Sequence, residues 1–116
     1  NPDGFEWDES GHRCYPSWFG FQMLVKPDAP FTRTEVACHL NEKKIGTRMF
    51  FGGNLVRQPA FVELQKNAPS SFRVVGSLEG ADRIMNTALF LGVYPGLTNQ
   101  QIDFMIDTVK RFTQKF

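Results

Sequence analysis

The chain has 116 residues, enough for one domain with a real core, and its 13 basic and 12 acidic side chains give a net charge of +1. That balance argues against a general nucleic-acid binder, which needs a basic surplus. No apolar run reaches membrane-spanning length and no signal-peptide pattern is visible, so no membrane partner is expected. The two cysteines, Cys14 and Cys38, lack metal-type spacing. They predict a reducing, cytoplasmic setting and no metal. An opening Asn rather than Met suggests a processed product or a piece of something longer.

Residues 1–16 are polar and carry Pro2, Gly4, Gly11 and Pro16, so they read as a lead-in loop to one domain over residues 17–116. Ser17–Lys26, SWFGFQMLVK, is rich in aromatic and β-branched residues and stops at Pro27. It predicts a strand whose alternation buries some of Trp18, Phe19 and Phe21 and leaves another on the opposite face. Thr32 and Glu35 have the spacing of a capping box. Val36, Ala37 and Leu40 follow in helical register, with Cys38 as buried packing and Gly46 as a left-handed cap. His39 reads as a partly buried or surface helix residue.

A short strand is expected over 47–51. The stretch TRMFFGGNLVRQP follows a pattern no ordinary core segment needs. Arg48 and Arg57 are planar cations suited to binding an anion through paired hydrogen bonds, and Gly52-Gly53 permits a close approach. Residues 46–76 hold Arg48, Arg57, Lys66 and Arg73 against Glu63 alone. Such a segment suits an anionic small ligand, and it equally suits a solvated surface.

Pro59 opens a short helix through about Gln65, and FRVVG reads as a short strand or extended segment. Gly80–Phe90 predicts a helix with Arg83 and Asn86 on one face and Ile84, Leu89 and Phe90 toward the core, and FLGVYPG a strand with Tyr94 at its end. Thr98 and Gln101 form a second capping box. Ile102, Met105, Ile106, Val109 and Phe112 mark an amphipathic final helix. The whole predicts an α/β (α+β) two-layer unit, a small, mostly antiparallel sheet packed with about four helices. No nucleophile with an orienting base and no phosphate loop is present, so the chain reads as a binding surface without a catalytic engine of its own.

The motifs PSWFGF, KIGTRMFFGGNLVRQPAF, RVVGSLEGADRIMN and LGVYPGLTNQQID, in this order, resemble the C-terminal part of the sugar-nucleotide 3-dehydrases. These are a branch of the DegT/DnrJ/EryC1/StrS family of pyridoxal-phosphate-type aminotransferases. The resemblance covers about Pro16 to Phe112. It implies the small C-terminal domain of a fold-type I pyridoxal-phosphate enzyme, whose large domain lies in the same polypeptide. The implied reaction is C3 deoxygenation of a nucleotide-linked 4-keto-6-deoxyhexose, for the dideoxysugars of lipopolysaccharide O-antigen. Pyridoxamine phosphate, a histidine base and a 2Fe-2S cluster would be held by the large domain and none by this segment alone. A nucleotide-sugar substrate, a homodimer and a separate reductase are the implied partners. The resemblance places Phe19 and Arg83 at active-site-facing positions. It puts Arg48, Asn54 and Arg57 in the loop region that approaches substrate; Tyr94 joins them as a substrate contact. Two other readings stay open: a sugar-nucleotide 4-aminotransferase domain, and a free-standing module that binds an anion or a partner.

Overall fold

The computed structural model describes residues 17–116. Three strands, β1 (Gly20–Leu24), β2 (Thr47–Met49) and β3 (Ala88–Gly92), form one antiparallel sheet in the order β1-β3-β2. Four helices accompany them: α1 (Arg33–Glu42), α2 (Pro59–Asn67), α3 (Glu79–Thr87) and α4 (Asn99–Thr113). Single 3-10 turns at Leu55–Arg57 and Pro69–Ser71 flank α2. The α+β unit expected from the sequence is the one observed.

Register separates the two faces of the sheet. Met23 pairs with Leu89 and Phe21 with Leu91, while Thr47 and Met49 meet Leu91 and Leu89 from the other side. Directly opposed residues share a face. That face is covered by α1 and α4: Val36, Ala37, Leu40 and Phe112 pack with Ile45, Leu89 and Leu91, and Met23, Met105 and Val109 close the edges. The opposite face carries Gln22, Phe90 and Arg48, which stand side by side in the ladder. Gly20 leaves room for the Phe90 ring, since a Cβ there would stand 2.7 Å from it.

Both capping boxes form. Thr32 Oγ1 accepts from the Glu35 amide and Glu35 accepts from the Thr32 amide at 2.7 Å; Thr98 and Gln101 do the same at the start of α4. Those contacts hold the Glu35 carboxyl below its ordinary range, the Thr32 backbone donor first among the causes.

Several boundaries differ from the sequence expectation. Helix α3 ends at Thr87, and the strand occupies 88–92 rather than 90–96. The apolar run ALFLG satisfies a helical pattern as well as a strand pattern, and pairing on both edges decides for the strand. Phe90, read as core-facing on a helix, therefore stands on the open sheet face. The left-handed residue after α1 is Lys44 (φ 64), not Gly46, because the helix ends at Glu42. Cys38 is a free, exposed thiol rather than core, since Val36, Ala37 and Leu40 fill the buried stripe. Trp18, Phe19 and Phe21 are all more than half exposed. The first two precede β1, and Phe21 lies on an edge strand. FRVVG joins no strand, and Gly76 at its end is left-handed (φ 78). Cys14 and the expected lead-in loop lie outside the described residues.

Candidate functional site

Each expected site residue has a definite position. Phe19 directly precedes β1, and its carbonyl accepts from Val93 NH at 2.9 Å, which continues the ladder by one step. Its ring meets Phe90 edge-on at 5.8 Å and Phe51 at 6.2 Å; Phe51 and Phe90 are 6.1 Å apart. Phe19 and Phe51 are 64% and 69% exposed, so this three-ring cluster is a surface and not a core. Arg48 is beside it, opposite Phe90 in the ladder, with its Nη1 donating to Thr47 O at 3.1 Å.

Asn54, Arg57 and Arg83 lie on the side of α3. The bend into that region needs left-handed backbone at Phe51 (φ 50) and Gly53 (φ 60). The Gly-Gly pair does permit a close approach, but it is Met85 of α3 that comes close. A Cβ on Gly53 would sit 2.5 Å from Met85 Cγ. Asn54 is buried, and caps the following turn by accepting from Val56 NH at 3.3 Å. Its amide donates to Asp82 Oδ1 at 2.8 Å. Arg57 grips the same carboxylate with Nε at 2.5 Å and Nη2 at 2.6 Å. The Arg57 and Asn54 donors hold the Asp82 carboxyl at about 2, well below its ordinary 3.8; Asp82 in return raises Arg57. Arg83 is the next residue along α3. It is exposed, and its guanidinium makes no hydrogen bond with another described residue.

Tyr94 stands elsewhere, beyond the far end of β3. Its ring lies against Gly96, where a Cβ would meet Tyr94 Cε2. With Phe19 it lines an open groove of about 840 Å³ that also includes Lys43, Lys44, Thr98 and Phe104. The structure thus gathers Phe19 and Arg48 around Phe90, joins Asn54 to Arg57 through Asp82, and leaves Tyr94 at the groove with Phe19. Sequence reasoning missed Asp82, Phe51 and Phe90. Asp82 lies 25 residues from its arginine, a pairing no local pattern signals. Among the described residues no cluster of three His, Cys, Asp or Glu side chains forms a metal-ligand group, and no helix is long and apolar enough to cross a membrane.

Residues 6–110 match the model of the DegT/DnrJ/EryC1/StrS aminotransferase family. The chain belongs to this family. Lipopolysaccharide biosynthesis protein RfbH of Salmonella typhimurium is 41% identical over 107 residues, 92% of this chain and 23% of that protein. The dTDP-4-dehydro-2,6-dideoxy-D-glucose 3-dehydratase of Saccharopolyspora spinosa is 38% identical over 100 residues, 86% of this chain and 20% of that one. The chain therefore spans between a fifth and a quarter of the length of these relatives. A crystal structure of GDP-4-keto-6-deoxymannose-3-dehydratase, with a trapped PLP-glutamate geminal diamine, superposes with a TM-score of 0.61 at 23% identity, over 79% of this chain and 22% of that one. That likeness is one of fold.

Proposed function

We propose that this chain is the small C-terminal domain of a pyridoxamine-phosphate-dependent sugar-nucleotide 3-dehydrase, and that its open face closes over the cofactor and substrate held by a larger domain of the same polypeptide. The observation that carries this reading is the identity of 41% and 38%, over nearly the whole chain, to RfbH and to a named 3-dehydratase. The residues of the chain fit one wall of such a site. Phe19, backed by Phe51 and Phe90, offers an apolar ring surface to a flat ligand. Arg48, Arg57 and Arg83 supply cations for phosphate, and Tyr94 with Phe19 lines the groove that would take part of the nucleotide sugar. Asn54 serves the site through Asp82, since its amide is spent on that carboxylate. When bound, pyridoxamine phosphate would supply an amine for the C4 ketone and a conjugated ring as electron sink for loss of the C3 hydroxyl.

The chain's own part is to orient and exclude water. The aromatic cluster displaces solvent from one side, and fixed cations act most strongly where water is thin. For the whole protein the same reading adds a 2Fe-2S cluster and a histidine base in the large domain, electrons from a separate reductase, a homodimer, a cytoplasmic location, and a product destined for O-antigen dideoxysugars. A 4-aminotransferase would instead transfer the amine to C4 and retain the C3 hydroxyl.

Arg83 carries the test. In the full-length enzyme, Arg83→Ala lowers kcat/KM for a nucleotide-linked 4-keto-6-deoxyhexose roughly ten- to hundred-fold, the effect of losing one charge-assisted hydrogen bond. Arg83→Lys recovers only part, because a point charge does not reproduce the planar fork. Product analysis by NMR reads C3 directly. A product with its C3 hydroxyl and a new C4 amine would overturn the dehydrase assignment, and wild-type kinetics in Arg83→Ala would remove Arg83 from the site.

A further inference from the structure

We propose that Asp82 is the positioning residue for Arg57: it holds the guanidinium by one edge so that the other, the Nη1/Nη2 end, is presented to an oxyanion of the ligand, a phosphate above all. This rests on the reading of Arg57 as a ligand contact. An arginine side chain explores many rotamers, and ordering it at the moment of binding costs affinity. Here the ordering is done in advance. Nε and Nη2 of Arg57 meet the two carboxylate oxygens of Asp82 side-on. A guanidinium has five N–H donors in a fixed fork, so three remain, and the Nη1/Nη2 end still offers a complete two-donor edge to a planar or tetrahedral oxyanion. The side chain of Arg57 is 60% exposed, against 24% for Asp82. The clamp is therefore set back, and the cation projects from it.

Asp82 is itself fixed from two directions. It sits in the first turn of α3, where the helix end favours a negative charge. Across the gap, the Asn54 amide donates to Oδ1, and Asn54 is only 3% exposed, capped onto the turn that carries Arg57. Gly53 against Met85 keeps that turn pressed on α3. A surface ion pair with no task would not need a buried asparagine and a left-handed glycine to hold its frame. With its carboxyl near 2, Asp82 stays ionised through any physiological pH, so the orientation of Arg57 does not titrate.

The test uses full-length enzyme, steady-state kinetics with the nucleotide-sugar substrate, and melts to establish that each variant is folded. Arg57→Ala raises KM roughly ten- to hundred-fold. Asp82→Asn keeps the size and one acceptor but loses the two-point grip, and raises KM with kcat nearly unchanged. The double variant is no worse than Arg57→Ala alone. Millimolar guanidinium restores the KM of Arg57→Ala while Asp82 is present to seat it, and fails to restore the double variant; a merely structural Asp82 predicts no such difference. If Asp82→Asn does not fold, Arg57→Lys, which leaves Asp82 untouched, decides: the proposal requires its KM to approach that of Arg57→Ala. An impaired Arg57→Ala beside a wild-type Asp82→Asn, an additive double variant, or a wild-type KM for Arg57→Lys would each overturn the positioning role. An unimpaired Arg57→Ala would instead overturn the reading of Arg57 on which it rests.

Discussion

At the residue scale, one acid organises the α3 side of the molecule, and its chemistry gives a pH signature. Asp82 is held at about 2 in the folded chain against an ordinary 3.8. A depressed acid stabilises the fold fully above its unfolded value, and that contribution is lost as pH falls through the folded value. The expected window is therefore from about 4 down to about 2. Melting temperatures across that range should fall more steeply for the wild type than for Asp82→Asn, with parallel curves at higher pH. Identical acid limbs would show that the clamp contributes nothing. Gly53 gives a second prediction. Its φ of 60° and the nearby Met85 side chain both oppose a Cβ. Gly53→Ala should cost about 1–3 kcal/mol, read from thermal melts, whereas Gly80→Ala, inside α3 and facing open space, should cost nothing or stabilise slightly.

At the element scale, the helices begin where their side chains say they should. Thr98 accepts from the Gln101 amide while Gln101 accepts from the Thr98 amide and hydroxyl, so two otherwise unpartnered donors at the start of α4 are satisfied. Thr98→Ala should cost about 1 kcal/mol, while Thr98→Ser keeps the acceptor and costs less. Equal melts for the Ala and Ser variants would mean that the cap adds nothing. The segment with least support from the sheet runs from the 54–57 turn through α2 to Phe72. Its main packing is internal, with Phe61 on Phe72 at 5.6 Å, and the Asp82 clamp fastens its root to α3. Leu55, Val62 and Leu64 remain exposed along it.

At the scale of the whole molecule, a three-stranded sheet has one covered face and one open face, and β3 in the centre is the hinge of both. Leu89 is fully buried under α1 and α4, while its neighbour Phe90 supports Phe19 and Phe51 on the other side. Leu89→Ala should cost about 2–5 kcal/mol, because the strand is paired on both edges and cannot shift to fill the space. A loss under about 1 kcal/mol in denaturant unfolding would mean that this core repacks freely.

The sequence by itself determined the elements whose signals are local. Both capping boxes, the Pro59 start of α2 and the helical span of α4 follow from spacing and residue type, since their causes act within one helical turn, whereas Ile102 and Ile106, read into the apolar stripe of α4, are exposed. The motifs also carried the family. Tertiary structure decided what depends on pairing between distant segments. The run 88–92 became a strand because β1 and β2 flank it, and this moved Phe90 from an expected core position to the open face. Cys38 lost its place in the core because three other residues of α1 already filled the stripe. Arg57 and Asn54, read as a pair of ligand contacts, met at Asp82, since the left-handed bend at Gly53 lays their turn against a helix some 25 residues further along the chain. A charge in the sequence has no partner until the backbone brings one within hydrogen-bonding distance.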